Sequence, residues 1–508
     1  MNIFNKFFSS VLVTLLFCPA AFSSDWQNNL RTKFLNNETV ILAVNIRSFN
    51  SQDFNGDGFI QENSGEKRGT FLNAINRLDE LKNLGVNTLH VLPITPTGKL
   101  KALGTAGSLY SASDFASLNP DMYDENSDLT IEQQAKKFVD EAHLRGISVI
   151  ADLPACASYD LFLQRPDLFV KGVSGEPVIP ADWTDVRLLN PGSKDKIDIN
   201  VFGTYKDFVK MVMKLGFDGI RADVATSKTE LFWKELIKYS REKDPEFLWL
   251  AEASESWKDP VSNYGVFTSY DKLLNAGFDG YYGSFFNLKN WNNSKELYSQ
   301  ISYTLNETEK YGKSVIGSFS THDEVSPILI KGPELSNMMI WLSATLPVNS
   351  YFVDGFQTGD DYVYQKQNKP ADSTNTDDDI YFTHRGQIDI FNFSRKPGGN
   401  NVDIRNNFLL GNNVKLTILP VLNNGKFTPL KIKNQKVFAY MFEYNKKRIL
   451  TLGNLDFENS QKASVKISNI SRKMSIVPIK ITSMPEFKKG KLQINLKRGE
   501  IVVLIING

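Results

Sequence analysis

The chain has 508 residues, 41% hydrophobic and 12% aromatic, enough to bury a large core shared between two or three folding units. Its 58 Lys and Arg nearly balance its 57 Asp and Glu, for a formal net charge of +1. That balance excludes a global field drawing the chain to nucleic acid or an anionic membrane, and it favours a neutral, sugar-like substrate.

Residues 1–24 read as a secretory signal peptide. Lys6 precedes the apolar "FFSSVLVTLLF", and the small residues of "CPAAFSS" follow before Asp25. The apolar run is too short to span a bilayer comfortably, and no later run reaches about 18 apolar residues. The expected mature protein is therefore soluble, secreted or periplasmic, and a monomer. Cys18 falls in this segment, which leaves Cys156 without a disulfide partner.

Next comes "DFNGDGFIQE", where Asp53, Asn55 and Asp57 offer oxygen at alternate positions and Gly58 permits a bend, as in calcium loops. From there the pattern alternates. Short β-like runs appear at "VILAVNIRSF", "VNTLHVLPI", "ISVIADLPA", "FDGIRADV", "FLWLAEAS", "FDGYYGSFF", "SVIGSFSTHD" and "VNSYFVDGF". Amphipathic stretches such as "TFLNAINRLDELKNLG", "IEQQAKKFVDEAHLRG", "YKDFVKMVMKLG" and "KTELFWKELIKYSREK" separate most of them. Eight strands alternating with helices predict an α/β fold of (β/α)8 TIM-barrel type.

Two departures set the domain limits. An irregular stretch over 157–197, rich in Pro, Asp and Gly, predicts a small insertion after the third strand, dividing the barrel into 25–156 and 198–412. Over 413–508 the β-prone runs "VKLTILPVL", "KVFAYMFEY", "RILTLGNL", "ASVKISNI", "LQINLK" and "EIVVLII" predict a C-terminal all-β sandwich.

Three acids stand where β-like runs end: Asp223 in "FDGIRADVA", Glu252 in "FLWLAEAS" and Asp323 in "SVIGSFSTHDE". A retaining glycosidase needs one ionised carboxylate to attack the anomeric carbon and a protonated one, about 5 Å away, to give its proton to the leaving oxygen. Asp223 and Glu252 suit those roles. Arg221, two residues before Asp223 on the same strand face, would keep the nucleophile ionised. Asp323 would raise the proton affinity of Glu252 and grip sugar hydroxyls.

These residues carry a resemblance to the α-amylase superfamily of glycosidases and transglycosidases, covering about residue 35 to the end. "GIRAD" holds Arg221 and Asp223 where the family has its arginine and nucleophile, Glu252 matches its acid/base, and "FSTHD" places His322 and Asp323 at its histidine and third carboxylate. The resemblance implies that Asp152 in "VIADLPACAS" supports the arginine, and that Tyr110 in "GSLYSASDF" stacks on sugar, a role for which a core tyrosine is the competing reading. It also implies a calcium site in the first loop, with Phe59 contributing its backbone carbonyl and Gln61 standing where an acid is usual. The chain departs from the family at Cys156, Ala157 and Thr321, which replace an Asn, a His and an Asn. Cys is a poor ligand for a hard ion, so the family's usual calcium beside the insertion is not expected. "DVATSKTELFWKELI" is similar to the glucan maltosyltransferase branch.

Two functional readings follow. One is an exported retaining enzyme acting on α-glucans or maltooligosaccharides through a glycosyl-aspartate, with water or a sugar hydroxyl as second reactant. The other is a catalytically silent α-glucan-binding protein on the same scaffold. His90, His143 and His384 have no zinc-like spacing, and His143 is expected to face solvent.

Overall fold

The computed structural model describes residues 26–102, 106–180, 183–257, 266–362, 364–367, 380–383, 395–467, 474–477 and 482–506. The expected signal peptide, the acidic stretch 372–379 and His384 lie outside them.

Eight parallel strands close a barrel: β1 (Val40–Val44), β2 (Thr88–Val91), β3 (Ser148–Leu153), β4 (Gly219–Ala222), β5 (Leu248–Ala251), β6 (Gly280–Tyr282), β7 (Ser314–Gly317) and β8 (Asn349–Val353), each paired with its sequence neighbours and β8 with β1. Every residue of these strands is buried, as parallel strands covered on both faces require. They correspond one for one to the eight β-like runs of the sequence.

Connecting helices follow the apolar spacing. Ile131–Leu144 starts at a Thr130–Gln133 capping box and buries Ala135, Phe138, Val139 and Ala142. Ile199–Leu215 is capped by Asp198 and stopped by left-handed Gly216. At Gly219 a Cβ would sit 2.6 Å from the Leu248 carbonyl oxygen, so only glycine lets β4 approach β5 this closely.

The insertion has its own small core of Ala155, Cys156, Val178, Val186 and Leu188, with Cys156–Ala157 running antiparallel to Arg187–Leu188. At the other end of the chain, the expected strand "VKLTILPVL" is instead part of a helix, Val402–Asn424, which runs straight through the 412/413 boundary. Its β-branched residues favoured a strand reading. Burial at Ile404, Phe408, Gly411, Lys415, Ile418 and Leu422 follows a helical period, and packing on Pro327–Thr345 decides the outcome. The all-β part starts at Lys426. A five-stranded and a three-stranded antiparallel sheet face each other, with Val437, Leu450, Leu452, Val502 and Leu504 packed on Ala463, Val465, Leu492, Ile494 and Leu496. Among the described residues no helix is long and apolar enough to cross a membrane.

Candidate active site

Strand register assembles the site. Asp152 on β3 lies directly opposite Arg221 on β4. The ladder continues one residue past the strands, Asp223 N–H donating to the Leu153 carbonyl and Glu252 N–H to the Ala222 carbonyl. Both carboxylates therefore emerge side by side at the C-terminal mouth, where barrel chemistry is usually placed.

Arg221, fully buried, is the hub. Its Nη1 donates to Asp152 Oδ1 and to Asp223 Oδ1, both at 2.9 Å, and its Nη2 lies 2.7 Å from Glu252 Oε1. Asp152 accepts also from the Tyr110 hydroxyl at 2.8 Å and faces His90 Nε2 at 3.1 Å. Burial opposes its charge, yet Arg221 and the His90 hydrogen bond outweigh that and hold its carboxyl below the usual range. Since Tyr110 spends its proton on Asp152, its oxygen accepts from His322 Nε2 at 2.7 Å. The two rings are stacked, 5.9 Å apart. Burial pushes His322 down to about 4, so the imidazole is neutral near pH 7.

The two central carboxyls are each 13% exposed and differ in environment. Burial raises Glu252 well above the carboxylate range, and the charges of Asp223 and Asp323 add to this, against Arg221. Asp223 rises only to about 6, because Arg221 and the Ala155 N–H, 3.0 Å from Oδ2, favour its ionised form against burial. One carboxyl thus keeps its proton where the other has lost it, the division of labour that acid and nucleophile require. Asp323 is 39% exposed, lies 3.5 Å from His322 Nε2, and stands at the rim.

The structure thus gathers Asp152, Arg221, Asp223, Glu252, Tyr110, His322 and Asp323 at one mouth. Sequence reasoning missed His90, which is fully buried and bridges Asp152 to the Tyr351 hydroxyl at 2.9 Å. A lone polar residue in the apolar "TLHV" was the available signal. His143, expected in solvent, is instead stacked on Trp26 at 4.1 Å and bonded to Asp218 at 2.9 Å, because that buried carboxylate needs a partner at the barrel floor. Cys156 is buried in the insertion core, and burial pushes its thiol up to about 12, which makes it inert as a nucleophile.

In the first loop, Asp53 accepts from the N–H groups of Gly56 and Gly58, while Asn55, Asp57 and Gln61 converge within 2.5–3.1 Å of one another. The loop closes on itself, Asn55 Nδ2 and Gln61 Nε2 both donating to Asp57 Oδ2, and among the described residues no three His, Cys, Asp or Glu side chains gather as a metal site. This loop lies far along the chain from the carboxylates at the mouth.

No family model matches the chain. It is 24% identical to neopullulanase 2 of Thermoactinomyces vulgaris over 41% of its own length and 35% of that protein's. It is 23% identical to an α-1,4-glucan:maltose-1-phosphate maltosyltransferase of Picrophilus torridus over 83% and 64% of the two chains, and 22% identical to α-amylase 3 of Dictyoglomus thermophilum over 88% and 89%. The chain therefore spans about a third of the first of these relatives and about two thirds of the second. An α-amylase structure from Lactobacillus plantarum superposes with a TM-score of 0.66 at 18% identity, covering 93% of this chain and 99% of that one. The relatives and fold neighbours are α-amylase-family hydrolases and transferases, in line with the resemblance read from the sequence.

Proposed function

We propose that this chain is a retaining glycosidase or transglycosidase of α-amylase type that acts on α-glucans or maltooligosaccharides. The observation that carries the reading is the arginine fork: Arg221 holds Asp223 on one nitrogen and Glu252 on the other, while their environments drive the two proton affinities apart.

In the first step protonated Glu252 gives its proton to the glycosidic oxygen as Asp223 attacks the anomeric carbon, leaving a glycosyl-aspartate. Glu252, now ionised, then takes a proton from the second reactant, water or a sugar hydroxyl, which displaces Asp223. Asp323 at the rim accepts sugar hydroxyls as the ring distorts, neutral His322 adds a further polar contact, and Tyr110 offers ring surface.

Incubation with maltooligosaccharides tests this. Shorter products indicate hydrolysis and longer ones transfer, and Asp223→Asn should cost several orders of magnitude in rate with either. Binding without turnover in the unaltered protein would favour the silent scaffold. The pattern of residues 1–24 supports export to the periplasm or medium, tested by N-terminal sequencing of the exported form. The Asp53–Gln61 loop supports a structural calcium, for which the unfolding temperature should rise with added Ca2+ and fall with chelator.

A further inference from the structure

Behind Asp223 lies a buried cation that the proposed reaction does not use. Lys228 is fully buried at the junction of barrel and insertion. Its Nζ donates to the Ala155 carbonyl at 2.9 Å and to Ser227 Oγ at 3.0 Å, and it is held at its own carbonyl by the Thr268 hydroxyl at 2.7 Å. Among the described residues it forms no ion pair within 4 Å, and its neighbour Cys156 keeps its proton, so the anion whose field the ammonium feels, without touching it, is Asp223. An unneutralised buried charge is costly and persists where the surroundings use it.

The segment it grips is the one that touches the nucleophile. Ala155 N–H donates to Asp223 Oδ2 at 3.0 Å. The same peptide ends in the Pro154 carbonyl, which accepts from the buried Tyr205 hydroxyl at 2.9 Å, and Tyr205 also reaches the Ala155 carbonyl at 3.0 Å. Both peptide planes flanking Ala155 are thus clamped from behind. Asp223 Oδ1 is fixed by Arg221 and Oδ2 by this N–H, so the clamp sets the rotation of the attacking carboxylate.

We propose that Lys228, with Tyr205, is a positioning residue for Asp223, acting through the Ala155 backbone rather than on the sugar. The inference rests on the proposed function, since it assigns Asp223 the attack. Without the ammonium, the Ala155 N–H loses its fixed direction, and the carboxylate loses both its aim and a donor that favours its ionised form.

The test uses Lys228→Met and Tyr205→Phe in the full chain on a maltooligosaccharide, reading kcat and KM separately across pH, with thermal unfolding alongside. Lys228→Met should lower kcat by about 10²-fold with KM held, the scale of a small misplacement of a reacting group. It should also move the acid limb of kcat/KM to higher pH. Tyr205→Phe, which keeps the lysine, should do both more weakly. A folded Lys228→Met enzyme whose acid limb stays in place overturns the proposal even if kcat falls, because a merely structural loss leaves that limb alone. Should Lys228→Met not fold, Tyr205→Phe decides, and an unchanged kcat and limb there overturn it. An unaltered enzyme that turns over no α-glucan would instead remove the functional reading, so the two failures are distinct.

Discussion

The Val224 N–H, one residue past Asp223, donates to Glu252 Oε2 at 2.7 Å from a backbone held at φ 34° and ψ 53°. A β-branched residue in the left-handed region costs on the order of 1–3 kcal/mol and persists only where its surroundings impose it. At this place the twist turns a donor toward the Glu252 carboxyl, the acid of the proposed mechanism.

Asn tolerates that region far better than Val. Val224→Asn is therefore expected to keep the N–H and the activity while raising unfolding free energy by on the order of 1 kcal/mol. Urea unfolding beside kcat measures both, and a clear loss of stability would show that the packing of Val224 on the insertion core outweighs the relief of strain.

Arg221 contacts three carboxyl groups at once, and among the described residues Asp152, fully buried, has as its other ion-pair neighbour His90, whose proton affinity burial lowers. Arg221→Met should leave Asp152 as an uncompensated buried charge and cost about 3–5 kcal/mol of stability. The loss should shrink in Arg221→Met/Asp152→Asn, since the stranded charge goes with it. Equal stability of the single and double variants would count against this account.

The acid and base limbs of activity follow from the two carboxyls. As pH rises through about 6, Asp223 ionises and kcat/KM should climb. It should fall again only where Glu252, held well above its usual range by burial and by its acidic neighbours, gives up its proton. Asp323→Asn removes one of those neighbours, so the alkaline limb should move to lower pH, whereas an unmoved limb would separate Asp323 from Glu252.

The barrel and the acids were legible because each signal was local. A strand buried on both faces shows as an apolar run, and a carboxylate at its polar end marks the mouth, as at Asp223 and Glu252. What escaped depends on contacts far apart in sequence. Nothing near His90 announces Asp152, 62 residues on. Nothing around Lys228 reveals that its ammonium meets the Ala155 carbonyl, 73 residues back. The helix Val402–Asn424 failed for a different reason: its last turns are rich in residues that suit either state, and the partner helix that settles the matter is distant in the chain.

That helix also carries a buried lysine that, among the described residues, forms no ion pair. Lys415 is fully buried and bonds to the Ser343 carbonyl at 2.9 Å, to the Val348 carbonyl and to Ser350 Oγ at 3.2 Å, all neutral acceptors. Burial lowers it from the usual lysine range to about 7. Its folded-state value therefore lies below its unfolded one, so between about pH 7 and the ordinary lysine value the unfolded chain binds more protons than the folded chain. Stability from this group must then rise with pH across that window, the reverse of a lysine that gains a carboxylate on folding. Lys415→Met, close in length and free of charge, should remove that slope and raise stability most at pH 7 and below, where the wild-type ammonium carries its full penalty. Denaturant unfolding of both proteins over the window measures the difference, and parallel curves for the two would show that Lys415 does not titrate on folding.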